Sequence, residues 1–264
     1  MVSRMGSTAK AVIHYLFHSG FAVEYGDYFM IFDYYKLPGS TGVSGFSGKD
    51  LTDRIANYKH PFVFVSHSHH DHFNPVIFEW GKYNPSLTYI LSSDVKQAHE
   101  NMQKHWGSCY YMSPYDTMEK KGMVISTFGS TDIGVSFLLK AGDIRIFHAG
   151  DLNWWHWAEE STRQELEEEE RKFKEETSKI EGGSIDILFF PVDPRLGEYY
   201  WLGGEYMLKT FKPGLFVPMH FGDNNYITQK FAERMKSFEA EIAVIKHKGQ
   251  SFEYHKGDIR RNLP

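Results

Sequence analysis

The chain has 264 residues, long enough to bury a substantial core, and its 29 basic and 34 acidic residues give a net charge of −5. This balance leaves no basic face for nucleic acid, so no nucleic-acid partner is expected. No stretch approaches the roughly 18 apolar residues of a membrane span, so no membrane partner is expected either. A single cysteine, Cys109, excludes an intrachain disulfide and is typical of the reducing cytoplasm, where we expect the protein.

In chain order, the first third of the sequence is typical of β-strands, with β-branched and aromatic runs broken by glycine turns. Strands are predicted at Ala11–Phe17, Phe21–Tyr25, Tyr28–Phe32, Phe62–Ser66, Leu87–Leu91, Met123–Phe128, Val135–Leu139, Ile144–His148, Ile185–Phe190, Leu215–Pro218 and Ile242–Ile245. A loop is predicted at Leu37–Gly48, and helices at Asp94–Trp106, Glu205–Phe211 and Thr228–Phe238. Strands and helices alternate without a linker, which predicts one α/β domain over residues 1–264.

The segment Glu159–Ile180 is charged throughout and predicts a helical insertion at about residues 157–182. Acidic residues stand four positions before basic ones, as Glu170 stands before Lys174, a spacing that stabilises helices. A thin apolar stripe recurs every seven residues, at Leu166, Phe173 and Ile180. We interpret the segment as a solvated surface helix, with a lid or a partner-binding helix as the alternative.

The strongest chemical signal is a cluster of four ligand-type side chains within six residues, at His67, His69, Asp71 and His72. Imidazoles and carboxylates are the usual protein ligands of zinc and similar divalent cations. The cluster directly follows the apolar run Phe62–Val65, so a turn at the end of a buried strand can gather these side chains. The sequence therefore predicts a site for one or two divalent metal ions.

This cluster matches the signature H-x-H-x-D-H, and from about residue 11 to residue 255 the chain resembles the metallo-β-lactamase superfamily. Further landmarks stand in the family's order, with Asp33 before the cluster and Gly150-Asp151 and Met219-His220 after it. The resemblance implies a four-layer αββα sandwich with the metal site at one edge. It also implies that Asp151 bridges two metals, that His220 binds the second metal, and that Asp33 orients ligands from behind them.

Two further segments narrow the resemblance to one branch of this superfamily. The opening Ile13–Gly20, and Asp186–Pro191 followed much later by Pro218-Met219-His220, resemble the branch that includes ascorbate-6-phosphate lactonases. They resemble true β-lactamases and glyoxalases less.

One departure from the family pattern affects the first metal position. The family supplies a lone histidine between the cluster and the bridging aspartate, but the corresponding stretch Thr127–Gly134 contains none. Asp132, the Ser130 hydroxyl or water would have to replace it. We therefore expect a weakened first position formed by His67, His69 and Asp151, and a complete second position formed by Asp71, His72, Asp151 and His220. At least one ion is expected to bind tightly, with zinc favoured over manganese or iron.

The expected activity is metal-dependent hydrolysis of a small ester, lactone, amide or phosphate-containing metabolite. A divalent ion makes hydroxide available near neutral pH, and the resemblance gives Asp71 the roles of ligand and orienting base. The alternatives are a phosphodiesterase or nuclease of the same superfamily, and a non-catalytic metal-binding protein. The sequence leaves open whether the chain forms a homo-oligomer.

Candidate substrate-binding residues lie after two of the predicted strands. Arg195 could hold a phosphate or carboxylate, or form a structural salt bridge. Trp154 and His156, with the tryptophans beside them, could line the pocket or pack beneath the charged helix. For His18 we favour packing within the first sheet, or support of the site, over a direct approach to the metal.

Overall fold

The computed structural model describes residues 10–36, 45–96, 107–180 and 183–257. Within these ranges the strands are β1 Lys10–Phe17, β2 Gly20–Tyr25, β3 Tyr28–Phe32, β4 His60–Val65, β5 Thr88–Ser92, β6 Ser108–Met112, β7 Thr117–Lys120, β8 Met123–Phe128, β9 Ser136–Ala141, β10 Ile144–His148, β11 Ile187–Pro191, β12 Leu215–Met219, β13 Glu241–Ile242 and β14 Ser251–His255. The α-helices are α1 Gly48–Asn57, α2 Arg163–Ser178, α3 Leu202–Phe211 and α4 Tyr226–Arg234, and 3-10 helices lie at Pro75–Lys82, Ser93–Val95 and Pro194–Tyr199.

The strands form two mixed sheets of seven strands each. The first has the order β14-β1-β2-β3-β4-β5-β6, and the second has the order β13-β12-β11-β10-β9-β8-β7. Strands β3 to β6 run parallel in the first sheet, as β10 to β13 do in the second. Because parallel strands end at the same edge of a sheet, the residues that follow β3 and β4 lie together, as do those that follow β10, β11 and β12.

Side chains alternate between the two faces of the first sheet, as the two-residue period of a strand requires. In β4, Phe62 and Phe64 belong to the core between the sheets, whereas Val63 and Val65 belong to a second core under α1. Phe64 meets Phe137 of β9 with 5.4 Å between ring centroids. The sheets therefore pack face to face on an aromatic-rich core.

Helices cover the outer face of each sheet. Ile55 of α1 is buried in the core outside the first sheet. Phe173 of α2 meets Phe190 of β11 at 6.0 Å, and Phe231 of α4 meets Phe216 of β12 at 4.9 Å, both measured between ring centroids on the outside of the second sheet. The predicted α/β fold with a four-layer αββα sandwich is thereby confirmed. None of the described helices has both the length and the apolar character that a membrane span requires.

The charged helix α2 is shorter than the predicted segment. It begins after Thr162, because Thr162 and Glu165 form a capping box in which each side chain bonds the other residue's backbone N–H. The predicted pair of Glu170 and Lys174 is present, and Arg171 pairs with Glu168 and Glu175 of the same helix. Its apolar residue Phe173 is fully buried, so α2 packs on the second sheet with its charged side toward solvent.

Several elements of the fold differ from the sequence expectation. Strands β6, β7 and β14, helix α1 and the 3-10 helix at Pro75–Lys82 were not predicted. The expected helix Asp94–Trp106 lies mostly outside the described residues, and its start is a short 3-10 helix at Ser93–Val95.

A charged network joins β1, β2 and α1 through Glu24. Its carboxylate accepts hydrogen bonds from His14 Nε2 at 2.7 Å, from Arg54 Nε and from the Tyr58 hydroxyl. Burial opposes the charge of Glu24, but these bonds outweigh burial and lower its pKa from the ordinary 4.5 to about 2. Because the pKa of Glu24 is lower in the folded protein than in the unfolded chain, its ionised carboxylate stabilises the fold. This stabilisation is complete above pH 4.5 and is lost as the pH falls through about 2.

We predict that Glu24→Gln lowers the free energy of unfolding by about 1–3 kcal/mol at neutral pH, because three donors lose a charged acceptor. In urea unfolding, the difference in free energy of unfolding between wild type and variant should decrease as the pH is lowered toward 2, where wild-type Glu24 becomes protonated. Glu253→Gln is the matched control, since the ion pair of Glu253 with Lys10 is half exposed and screened by water, so its loss should change the free energy of unfolding far less. A difference for Glu24→Gln that is independent of pH would contradict this assignment.

Candidate metal centre

The turns that follow parallel strands of both sheets meet at one edge of the sandwich. This edge brings together all six predicted ligands, namely His67, His69, Asp71 and His72 after β4, Asp151 after β10, and His220 after β12. Two backbone hydrogen bonds join the sheets here, from Val135 N to Ser66 O at 2.9 Å and from His220 N to His18 O at 3.2 Å. Predicted ligands separated by 153 positions in the sequence, His67 and His220, therefore share one site.

Asp151 lies between two groups of these side chains. Its Oδ2 is 3.5 Å from His67 Nε2, whereas its Oδ1 is 3.1 Å from His72 Nε2 and 3.3 Å from His220 Nε2. One carboxylate oxygen thus faces each group, which is the arrangement that a bridging ligand requires.

The first group consists of His67, His69, Asp132 and Asp151, whose ligand atoms lie within 4.8 Å of one another. Asp132 Oδ2 is 3.6 Å from His69 Nδ1. The hydroxyl of Ser130 instead accepts a hydrogen bond from the backbone N–H of Asp132 at 3.1 Å. Of the replacements considered for the missing histidine, Asp132 is therefore the side chain that reaches the group, while Ser130 shapes the turn that carries it.

The second group consists of His18, Asp71, His72 and His220, again with all ligand atoms within 4.8 Å of one another. His18 was favoured as a packing or supporting residue, but its Nε2 lies 3.3 Å from Asp71 Oδ2 and its ring 4.1 Å from that of His220. The turn between β1 and β2 therefore adds an imidazole that the motif did not include.

Buried carboxylates orient two of the histidines by binding the ring nitrogen that faces away from the site. His72 Nδ1 donates to Asp33 Oδ2 at 2.7 Å, and His220 Nδ1 donates to Asp193 Oδ2 at 2.9 Å. Each bond fixes the ring so that Nε2 points into the site. The sequence had suggested this role for Asp33, but it overlooked Asp193, which follows β11 as Asp33 follows β3.

A chain of hydrogen bonds extends the support to His67. Its Nδ1 is 3.0 Å from Ser66 Oγ, and this hydroxyl donates to Asp33 Oδ2 at 2.6 Å. The backbone N–H of Ser66 also donates to Asp33 Oδ1 at 2.7 Å. Asp33 is fully buried and therefore holds the turn after β4 as well as the ring of His72.

The electrostatics of the site favour positive charge between the histidines. Burial alone would raise the pKa of Asp151, but His72 and His220 outweigh burial and hold that pKa well below its usual range. Burial would lower the pKa of His72, but Asp151 and Asp33 raise it. At His18 burial dominates and lowers the pKa to about 4, so this imidazole is neutral at pH 7. The carboxylate of Asp151 therefore stabilises a proton or a cation that lies between His72 and His220.

Five ligand-type atoms of the site are buried and have no hydrogen-bond partner within the described residues. They are Nε2 of His18, His67, His72 and His220, and Oδ1 of Asp151. Leaving such an atom unsatisfied costs about 1–3 kcal/mol, so several of them in one cluster indicate a site that binds a ligand. Each of the four imidazole nitrogens lies 3.1–3.5 Å from a carboxylate oxygen of Asp151 or Asp71, near the about 3.3 Å between two donors on one tetrahedral zinc. The residues present thus fit one or two divalent cations.

The predicted substrate residues occupy different surroundings. Arg195 binds Asp193 through its guanidinium and places Nη2 3.5 Å from His220 Nδ1, with its side chain 61% exposed at the rim of the site. Trp154 instead packs beneath α2, 6.2 Å from the ring of Phe173 and under the ammonium group of Lys174. Of the two roles considered for Trp154, these contacts agree with packing beneath the charged helix.

Trp155 is the tryptophan that contacts the site. Its ring lies 5.5 Å from that of His220 and stacks on Trp157 at 5.8 Å, and the guanidinium of Arg195 covers Trp157. His156 points the other way and packs 4.4 Å from the ring of Tyr199. Consecutive side chains point to opposite sides here, which is why the tryptophan next to the expected one lies at the site.

No family model and no curated protein sequence matches the chain. Several solved structures are similar to it. Igni18, a metallo hydrolase from the hyperthermophilic archaeon Ignicoccus hospitalis, is 15% identical with a TM-score of 0.60, over 93% of this chain and 99% of that protein. The metallo-β-lactamase fold protein YhfI from Bacillus subtilis is 16% identical with a TM-score of 0.60, over 94% and 100%.

CmlA, a diiron β-hydroxylase from Streptomyces venezuelae, is 10% identical with a TM-score of 0.58. The match covers 93% of this chain but only 54% of CmlA. At these identities the similarity concerns the fold alone. Together with the two face-to-face sheets, the flanking helices and the His/Asp cluster at the sheet edge, it shows that the chain has the metallo-β-lactamase fold.

Proposed function

We propose that this protein is a metal-dependent hydrolase of a small ester, lactone, amide or phosphate-containing metabolite. The observation that carries the proposal is the convergence of two His/Asp groups on Asp151, with buried ligand atoms that lack other partners. A purely structural polar cluster would satisfy those atoms internally. Similar structures named as metal-dependent hydrolases support the same class of activity.

A divalent cation held by these residues supplies Lewis acidity, which lowers the pKa of water toward neutrality and polarises an electrophilic carbonyl or phosphoryl group. Asp71 is the most exposed member of the second group, with 30% of its side chain accessible. Its carboxylate is thus the one that water and substrate can reach, in keeping with the proposed role of ligand and orienting base. Asp33 and Asp193 keep the buried rings of the site in place.

The rim of the site favours a small anionic or ring-containing substrate. Arg195 offers a partly free guanidinium beside His220, and Trp155 and Trp157 provide an apolar wall. A guanidinium next to an aromatic surface is suited to a carboxylate or phosphate attached to a ring or chain. We include lactones because of the resemblance to the ascorbate-6-phosphate lactonase branch, and we propose that the protein acts in the cytoplasm.

Zinc suits the centre best, because imidazole nitrogens predominate among its buried donors. The carboxylates also suit manganese or iron, and CmlA is a diiron protein. Metal analysis of protein purified without chelator should therefore show at least stoichiometric zinc, manganese or iron. A markedly substoichiometric content of all three would favour a protein that does not work through a metal.

Activity is tested with the metal-loaded and the chelator-treated protein on a panel of lactones, aryl esters, amides, phosphodiesters and single-stranded RNA. We expect turnover of a small carbonyl or phosphate substrate that chelation removes and metal restores. Turnover of RNA would point to the nuclease alternative, which the net charge of −5 disfavours. Stoichiometric metal without turnover of any substrate would favour the non-catalytic alternative.

A further inference from the structure

The turn between β1 and β2 holds His18 in an unusual backbone conformation. The φ angle of His18 is 58°, in the left-handed region that non-glycine residues rarely adopt. Its backbone N–H donates to the Tyr15 hydroxyl at 3.1 Å, and its carbonyl accepts from His220 N at 3.2 Å. The next carbonyl, that of Ser19, accepts from His148 Nε2 at 3.0 Å. Hydrogen bonds with three other residues thus hold the turn in a conformation that costs energy. Strained backbone of this kind is concentrated at functional sites.

The side chain of His18 is aimed into the second group. Its Nε2 is buried without a hydrogen-bond partner in the described part of the chain and lies 3.3 Å from Asp71 Oδ2. The ring stands 4.1 Å from that of His220 and 5.6 Å from that of His72. A packing histidine would turn its polar atoms to water or to a backbone group, whereas this nitrogen points at the other ligand atoms.

We infer that His18 is a ligand of the second metal position, which then has three imidazoles and Asp71 and fills before the first. This inference rests on the proposed metal centre. The first position has only two imidazoles, and two of its members, His69 and Asp132, have 48% and 42% of their side chains exposed. Ordering exposed side chains costs conformational entropy that the buried second group has already lost on folding. The first position thus lacks the third histidine that the family supplies, whereas His18 gives the second position three.

Three observations on the chelator-treated full-length protein test this inference. Calorimetric titration with Zn²⁺ and visible absorption during titration with Co²⁺ should resolve a tight and a weaker binding event in the wild type. His18→Asn should weaken the tight event by roughly 100-fold, the upper range for a group that tunes a metal site. Asparagine is chosen because it tolerates the left-handed conformation, so the turn is retained. Asp132→Ala should weaken the other event and leave the tight one unchanged.

Crystals of the wild type with a single equivalent of Zn²⁺ should show anomalous scattering beside His18 Nε2, at about 2.0–2.1 Å. Unchanged binding in His18→Asn, or a first ion placed between His69 and Asp132, would overturn the inference while leaving the metal centre intact. A wild type that binds neither Zn²⁺ nor Co²⁺ would overturn the metal centre itself. Thermal unfolding of His18→Asn without metal, compared with wild type, separates loss of a ligand from loss of the fold.

Discussion

Replacing Asp151 with alanine is expected to abolish metal binding at both positions and with it any hydrolysis. Its two carboxylate oxygens are 3.1–3.5 Å from three imidazoles that belong to different groups. Without them the one carboxylate that faces both groups is lost, and Asp132 in the first group and Asp71 in the second can each offset only one of the two charges of a divalent cation. Metal content by elemental analysis should fall to background, and the turnover found for the wild type should disappear.

The matched control for this variant is Ser130→Ala. The Ser130 hydroxyl accepts a hydrogen bond from Asp132 N and in this way supports the turn that carries Asp132. Its loss should leave the tight binding event unchanged and weaken the other by about tenfold, the lower end of the 10–100-fold that an orienting contact contributes. If Ser130→Ala were as damaging as Asp151→Ala, the assignment of Asp132 to the first group would be wrong. Circular dichroism should show that both variants are folded.

Most of the site could be predicted from the sequence because its ligands follow strands. A buried apolar run followed at once by polar residues, as at Val65 and His67, identifies a strand and the side chains at its end in a single local pattern. Parallel strands then bring such ends to one edge. Asp151 and His220 were assigned through the resemblance to the metallo-β-lactamase superfamily, and their positions after β10 and β12 agree with that assignment.

His18 and Asp193 also follow strands, β1 and β11, but their roles could not be assigned from that position alone. The direction of the His18 ring depends on a left-handed turn that His220 and His148 hold through non-local hydrogen bonds. Asp193 gains its role only when His220, which is 27 residues away, is placed beside it. Neither relation leaves a periodic or compositional trace in the sequence.

The missed elements of the fold have a related cause. Strands β6, β7 and β14 lie in the outer parts of their sheets, and most of their side chains are only partly buried or exposed. Such strands lack the apolar run that marks a buried strand, and their pairing partners define them. Helix α1 is different, because Ser47 and Asp50 form a capping box that the sequence displays. That signal was available and was obscured by the glycine- and serine-rich segment before it.

Gly134→Ala is expected to destabilise the fold severely, although Gly134 has no catalytic group. Its φ is +80°, and a Cβ here would lie 2.1 Å from the carbonyl oxygen of Ser66 and 2.5 Å from the Cβ of His67. The loop before β9 docks at this point on the turn after β4, through the hydrogen bond from Val135 N to Ser66 O. A methyl group would have to separate the two sheets where the ligand turn begins, because backbone atoms cannot give way as a flexible side chain can.

We expect the free energy of unfolding to fall by about 4 kcal/mol or more in Gly134→Ala, in the range that only a few mechanisms reach. Gly142→Ala is the matched control, since Gly142 also has a positive φ, +60°, but its nearest neighbour would be 3.9 Å from the new Cβ. That variant should lose only about 1 kcal/mol, from backbone strain alone. Urea unfolding of both variants without metal measures the difference. An equal fall in the free energy of unfolding in both variants would mean that the positive φ of Gly134, and not its close contact with Ser66, causes the destabilisation. A much larger loss in Gly134→Ala would show that the absent side chain lets the two sheets meet closely enough to place His67 opposite Asp151.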